Sequence, residues 1–315
     1  DKCARLGQSL TQMGAASAVI TLPDSLCWLL NIRGADIPRN PIAQGFAVLH
    51  ADGTVDLFMD KVKLAEVRDH LGTAITCHDP VTFLDMLERL PGPVLLDKSS
   101  VPVRVADVID NKVQWGDDPC AQPKACKNAA ELAGARAAHL RDAAAMVRFL
   151  AWLDATAPGD LTEIDVVKRL EEERRATNAL RDISFETICG SGPNGAIMHY
   201  RVTKETNRPL AEDTLLLVDS GGQYLDGTTD ITRTMALREP GAEERTAYTQ
   251  VLQGLIAISR ARFPKGVAGA HLDALARAPL WAAGRDFDHG TGHGVGVYLS
   301  VHEGPQRISR ASEVP

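Results

Sequence analysis

Short apolar runs alternate along the chain with longer segments in which apolar residues recur at helical spacing. The runs at residues 94–96 and 215–218 are typical of buried strands. Polar residues at Asn128 and Thr162, each followed by an acidic residue three positions later and then by apolar positions, predict the starts of two helices. Residues 243–263 predict a third, long helix. Together these elements predict an α/β (α+β) protein.

Residues 1–118 have the pattern of a small α/β domain. Helices are predicted at 6–13, near 63–71 and at 83–90, and strands at 18–22, 46–50, 55–59, 75 and 94–96. We find no catalytic group of residues here. His50, His70 and His78 stand isolated, and we expect structural or surface roles for them. The stretch 115–123 has the composition of a linker, so we predict a second domain over 119–315.

Two further segments of the second domain carry weaker signals. The charged run at 171–175, EEERR, predicts a solvent-exposed face of the helix that begins at Thr162. Residues 184–189 predict a strand.

A pair of aspartates stands out in the second domain. Asp219 follows the apolar run 215–218, and Asp230 lies in a β-branched run, 228–234, beyond two turn signals. A hairpin with a wide loop would bring both carboxylates to one place. Two carboxylates in a poorly solvated site repel, so one must be protonated or a cation must lie between them. A pair of turn aspartates that bond loop amides is the alternative.

Histidines in glycine-rich surroundings form the second candidate feature. Residues 289–296 read HGTGHGVG and residues 301–305 read VHEGP, so three histidines lie within fourteen residues. Glycine lets the backbone approach a ligand closely, and imidazole is a good ligand for transition metals. No Lys-Ser/Thr pair follows the glycines, which argues against a phosphate-binding loop. A third segment, residues 191–200, leads from turn residues to His199.

In this order, the two aspartates and the motifs HGTGHGVG, VHEGP and MHY resemble the pita-bread metallopeptidases, and among them the proline-specific branch that contains aminopeptidase P and prolidase. The resemblance covers residues 120–315 and, more loosely, the first half. It implies a creatinase-N-terminal-like α/β domain followed by a pita-bread catalytic domain. It also implies two divalent metal ions; we expect manganese, with zinc or cobalt as alternatives.

The resemblance also implies roles for individual residues. Asp219, Asp230 and His293 would be metal ligands, with Asp230 bridging both ions, and a hydroxide shared by the ions would attack the scissile carbonyl. His302 would hydrogen-bond the substrate or the tetrahedral intermediate. His199 and His289 would position the peptide and assist proton transfer. The family has two further glutamate ligands, so we expect these beyond Pro315 and the catalytic domain as given to be incomplete at its C-terminus.

The expected function is therefore release of the N-terminal residue from peptides with proline in the second position. The peptide bond before proline is a tertiary amide without an N–H, so peptidase sites that bind this hydrogen cannot recognise it. A prolidase, which cleaves Xaa-Pro dipeptides, is the nearest alternative. A creatinase-like C–N hydrolase and a metal-free binding relative are two further ones.

Composition and charge limit the classes of molecule that the protein is expected to bind. The chain has 315 residues, which favours two domains, and a net charge of −7, which argues against nucleic acid or an anionic membrane as a main partner. No apolar run approaches the length of a membrane span. The six cysteines form no CxxC pair, so we expect reduced thiols and a cytoplasmic protein. From the resemblance we expect a homodimer.

Overall fold

The computed structural model describes residues 2–212 and 215–314, which divide into two compact units, residues 1–127 and 128–315. The first unit extends past the predicted domain boundary at residue 118 and includes the helix Ala121–Ala125. Lys124 on this helix is buried, and its Nζ lies 2.6 Å from Asp24 Oδ2. This ion pair fixes the segment with linker composition within the first unit.

The first unit is built on a six-stranded mixed sheet. Its strands are β1 (Ser17–Ile20), β2 (Phe46–His50), β3 (Val55–Phe58), β4 (Ile75–His78), β5 (Val94–Leu96) and β6 (Val113–Trp115). Their order across the sheet is β4-β3-β2-β1-β5-β6. The helices are α1 (Lys2–Gln12), α2 (Pro23–Leu30), α3 (Arg68–Leu71), α4 (Phe83–Glu88), α5 (Val103–Ile109) and α6 (Ala121–Ala125). One face of the sheet packs on α4 and α5 through a core that includes Phe58, Phe83 and Leu96.

Two expectations for this unit need correction. The helix predicted near 63–71 is confined to Arg68–Leu71. His50 and His78 are not isolated, because their Nε2 atoms lie 2.8 and 2.6 Å from the two carboxylate oxygens of Asp56. Strand β3, which carries Asp56, lies between the strands of the two histidines, so the sheet brings together residues that are separated in sequence.

In the described part of the second unit, four α-helices combine with short strands. The helices are α7 (Ala129–Thr156), α8 (Glu163–Arg175), α9 (Ala242–Arg260) and α10 (Gly269–Trp281). The strands are β7 (Asp182–Ile183), β8 (Ile188–Ser191), β9 (Leu215–Ser220), β10 (Gly222–Tyr224), β11 (Gly227–Thr228), β12 (Ile231–Ala236), β13 (Gly292–Gly294) and β14 (Glu303–Ile308). They form sheets with the orders β11-β10-β7, β12-β9-β8 and β13-β14.

The first two helices of this unit begin where the sequence predicts. Asn128 and Glu131 form a reciprocal capping box, with both bonds 2.9 Å long. At the start of α8, the N–H and the hydroxyl of Thr162 donate to Asp165 Oδ2 at 3.0 and 2.7 Å. The helices pack on β8 and β9 through a core formed by Met146, Phe149, Leu153, Val166, Leu170, Cys189, Leu216 and Val218. This packing supports β9, the strand that carries Asp219.

The strand predicted at 184–189 is wrong in its extent. Residues 184–187 separate β7 from β8, because the chain leaves one sheet and enters another. Ser184 connects this segment to the hairpin that carries the two aspartates, because its Oγ donates to the carbonyl of Thr229 at 2.9 Å.

A buried carboxylate, Asp142 on α7, joins several elements of this unit. Arg174 of α8 donates Nε and Nη2 to it at 2.7 and 3.1 Å, and neither side chain is exposed. Tyr224 Oη and Thr229 Oγ1 donate at 2.7 and 2.9 Å. The prediction of a solvent-exposed face at 171–175 is therefore wrong for Arg174, and it is wrong for Glu173 as well, which is also buried. Four donors compensate the desolvated carboxylate and fix Thr229, the residue before Asp230.

Replacement of Arg174 by Met tests this pairing. The substitution leaves the Asp142 carboxylate buried without a cation, so we expect the free energy of unfolding to fall by about 3–5 kcal/mol. Arg175→Met is the matched control, because Arg175 is 60% exposed and its pair with Glu171 should contribute about 1 kcal/mol or less. Urea unfolding of both variants measures the difference, and equal losses would contradict the role given to Asp142.

Candidate metal centre

The aspartate hairpin brings Asp219 and Asp230 together. Strands β9 and β12 pair antiparallel, with Asp219 opposite Thr232 and Ser220 opposite Ile231, and Asp230 directly precedes β12. The short strands β10 and β11 lie within the connecting segment as a small hairpin of their own. Asp230 is close enough to affect the charge and the hydrogen bonding of the Asp219 carboxyl. The predicted convergence of the two carboxylates is confirmed.

The environment of Asp219 disfavours its charged form. Burial raises the pKa of this carboxyl, and the neighbouring charge of Asp230 raises it further. Thr232 acts in the opposite direction, because its Oγ1 donates to Asp219 Oδ1 at 2.6 Å. A divalent cation between the carboxylates would remove this repulsion.

His293 on β13 directs one ring nitrogen at the carboxylates. Its Nδ1 lies 2.8 Å from the carbonyl oxygen of Gly294, which can only accept, so Nδ1 carries a hydrogen. Its Nε2 lies 3.2 Å from Asp230 Oδ2, and this hydrogen bond raises the pKa of His293. An imidazole whose second nitrogen donates to a carbonyl is the usual arrangement of a metal-binding histidine.

His302 lies in the same group. One ligand atom each of Asp230, His293 and His302 lie within 4.8 Å of one another, and the ring centroids of the two histidines are 4.2 Å apart in an edge-on arrangement. Burial lowers the pKa of His302, and the positive charge of His293 lowers it further. The neutral imidazole of His302 can therefore either donate or accept a hydrogen bond. Its predicted role as a substrate contact stays a prediction.

The two remaining candidate histidines lie at the surface. His199 is exposed and close enough to His302 to lower the pKa of that residue electrostatically. His289 is exposed as well; its Nδ1 donates to the carbonyl of Gly290 at 2.7 Å, and its ring packs on Phe287 with centroids 4.6 Å apart. The substrate-positioning roles of both residues stay predictions.

The donor set fits a divalent metal. It combines carboxylates with imidazole and contains no thiolate, which suits hard or borderline cations such as manganese, zinc or cobalt. Burial and then the charge of Asp230 raise the pKa of Asp219, so a cation beside this carboxyl would favour its charged form. The assignment of Asp219, Asp230 and His293 as ligands stays a prediction that these observations support.

The sequence-based candidates did not include Thr232 and Asp142. Thr232 lies in the predicted strand after Asp230, and antiparallel pairing alone could have placed it opposite Asp219. Asp142 is one acidic residue within a long helix, and its partners lie 32 to 87 residues away in sequence. The helical pattern carries no signal for those partners.

Known protein families match both units of the chain. The pattern of metallopeptidase family M24 matches residues 133–315, and that of the creatinase/prolidase N-terminal domain matches residues 1–131. The chain is 41% identical to a protein of Coccidioides posadasii named probable Xaa-Pro aminopeptidase P, over 98% of this chain and 50% of that protein. The chain spans about half the length of the curated relatives it matches.

Solved structures show the same fold. The X-prolyl aminopeptidase from Caenorhabditis elegans, described as a cytosolic enzyme with a di-nuclear active site, matches with a TM-score of 0.93 and 36% identity, over 98% of this chain and 52% of that chain. A prolidase from Pyrococcus horikoshii matches with a TM-score of 0.79 at 21% identity, over 99% of this chain and 86% of that chain. The predicted fold class, a creatinase-N-terminal-like α/β domain before a pita-bread domain, is confirmed.

Replacement of Asp230 by Asn tests the metal centre. The substitution keeps the shape of the side chain and removes its charge, so we expect Mn²⁺ affinity to fall by about 10-fold or more. The metal-free protein should keep its fold, because the relieved repulsion between the carboxylates offsets the weakened bond to His293.

Asp226→Asn is the matched control, because Asp226 binds Arg141 at 2.9 and 3.0 Å and is not part of the Asp230, His293 and His302 group. Calorimetric titration with Mn²⁺ gives the affinity of each variant. An unchanged affinity in Asp230→Asn would remove Asp230 from the ligand set.

Proposed function

We propose that this chain, which belongs to metallopeptidase family M24, forms the creatinase-N-terminal-like domain and the metal-binding part of an Xaa-Pro aminopeptidase. Such an enzyme is a hydrolase that releases the N-terminal residue from peptides with proline in the second position. The observation that carries the proposal is the group formed by Asp230, His293 and His302, with Asp219 beside it. In sequence it matches the motifs of the proline-specific branch.

The proposed cofactor is a pair of divalent ions. The similar enzyme from Caenorhabditis elegans is described as having a di-nuclear active site, which supports two ions rather than one. Asp219, Asp230 and His293 would hold the ions, and Asp230, which approaches both of the other residues, would be the ligand shared between them. Bound ions of this kind supply Lewis-acid polarisation of the peptide carbonyl and of the attacking water. Manganese is the proposed metal, with zinc or cobalt as alternatives.

The protein side chains orient the ligands and the substrate. The bond from His293 Nδ1 to Gly294 fixes the ring so that Nε2 is available to a metal. His302, held neutral by its surroundings, hydrogen-bonds the scissile group, and a neutral imidazole can exchange a proton at neutral pH. The exposed His199 and His289 contact the peptide and its proline side. All four roles are parts of the proposal.

The proposed substrate is a peptide of three or more residues with proline second. The relative with 41% identity and the solved enzyme with 36% identity are both named for cleavage next to proline in peptides. The likeness to prolidase, at 21% identity, reflects the fold alone and is weaker support than the two relatives above. A dipeptidase is therefore only the second candidate. No helix in the described part of the chain is long and apolar enough to cross a membrane. A homodimer and a cytoplasmic location stay predictions.

Peptide cleavage by the product of the complete gene tests this function. We expect Mn²⁺-dependent release of alanine from Ala-Pro-Phe, loss of the activity with a chelator and its return with Mn²⁺. Ala-Ala-Phe is the matched control for the proline requirement and should be cleaved slowly or not at all. Cleavage of the dipeptide Ala-Pro alone would establish a prolidase. If the metal-loaded protein cleaved none of these peptides, the result would favour a binding protein related to the family over an enzyme.

Replacement of His302 by Ala separates a substrate contact from a metal ligand. We expect the variant to keep the metal content of the wild type and to lose turnover by about 10²–10⁴-fold, the usual contribution of a general acid–base group. Metal analysis and the Ala-Pro-Phe assay are made on the same samples. A fall in metal content would assign His302 to the ligand set, and unchanged turnover would remove its catalytic role.

A further inference from the structure

Arg277 on helix α10 contacts the loop 285–291, which carries His289 and leads into β13, the strand of His293. Its side chain is only 2% exposed. Nη2 donates to the carbonyl of His289 at 2.6 Å, and Nη1 donates to the carbonyl of Phe287 and to Asp286 Oδ1, the latter at 2.8 Å. A guanidinium in this geometry fixes several loop groups at once, because its donors are held in one plane.

Asp273, one turn earlier on α10, extends the same contact. Its Oδ2 accepts Nε of Arg277 at 2.6 Å, and its Oδ1 accepts the hydroxyl of Thr291 at 2.6 Å. The Asp273 side chain is 2% exposed. The buried pair therefore holds the loop on both sides of Gly290, at the carbonyl of His289 and at the side chain of Thr291.

The loop has little packing of its own. Residues 285–291 form no helix or strand, and glycines at 290, 292 and 294 leave the backbone a wide choice of conformations. Phe287 lies under the Arg277 guanidinium, with 3.8 Å from the charge to the ring centroid, and the His289 ring packs on Phe287. Arg277 thus reaches His289 through both its backbone and its ring neighbour.

We propose that Arg277 and Asp273 are positioning residues for His289 and His293. They fix the loop before metal binds, so that His293 Nε2 is already directed at Asp230. A loop ordered in advance does not have to lose this freedom when the metal binds. The link to metal affinity rests on the proposed function, whereas the link to loop conformation does not.

Thr291 offers a test that leaves the buried ion pair intact. Thr291→Val keeps the shape and removes the hydroxyl that Asp273 accepts, and Thr291→Ser, the matched control, keeps the hydroxyl. We expect Thr291→Val to weaken Mn²⁺ binding by about 10-fold, as substitutions next to metal ligands do, and Thr291→Ser to stay within about twofold. Arg277→Lys keeps the charge beside Asp273 but loses the planar fork, so it should weaken binding as well.

Two readouts on the product of the complete gene separate positioning from stability. Calorimetric titration gives Mn²⁺ affinity, and NMR of the metal-free protein reports the ring signals of His289 and His293. We expect these signals to shift or broaden in Thr291→Val and to remain in place in Thr291→Ser. If the wild type binds no Mn²⁺, the proposed metal centre fails, but displaced ring signals would still support the positioning role. Unchanged ring signals in Thr291→Val would overturn that role, even if its unfolding free energy fell.

Discussion

The buried carboxylate of Asp142 is the constraint on which the second unit depends. A desolvated charge is costly unless donors surround it, and here four donors do so: two from Arg174, one from Tyr224 and one from Thr229. Burial and the charge of Asp142 raise the pKa of the Tyr224 phenol, which therefore stays protonated and donates. Two helices and the segment before Asp230 must keep their relative positions to preserve these bonds.

A second buried arginine–aspartate pair supports the opposite side of the site. Arg277 and Asp273 hold the loop 285–291, which carries His289. Arg174 and Asp142 hold the segment before Asp230 in a similar way. Both pairs act through residues that neighbour the candidate ligands rather than through the ligands themselves. The arrangement suits a metal centre, because its carboxylates repel one another and its histidines are partly exposed, so neither would hold its position without support.

The first unit has a different character. His50 and His78 bind opposite oxygens of Asp56, an arrangement that connects three adjacent strands. Within residues 2–212 and 215–314, the one group of three potential ligands that could hold a metal ion is Asp230, His293 and His302, all in the second unit. The division of chemistry between the units agrees with the sequence, where motifs for metal binding begin after residue 190.

Features that depend on residues close together in the chain could be predicted from the amino-acid sequence. Caps at Asn128 and Thr162 start their helices as predicted, because a cap and its partner lie three residues apart. The aspartate hairpin followed from an apolar run and two turn signals, and the motif chemistry pointed to metal. Tertiary packing, by contrast, buries Arg174, places His302 beside the candidate ligands and brings Arg277 to the loop 285–291. These outcomes depend on which polar side chains meet across elements, and a local pattern of polar and apolar residues is the same whether a charged side chain faces water or a distant partner.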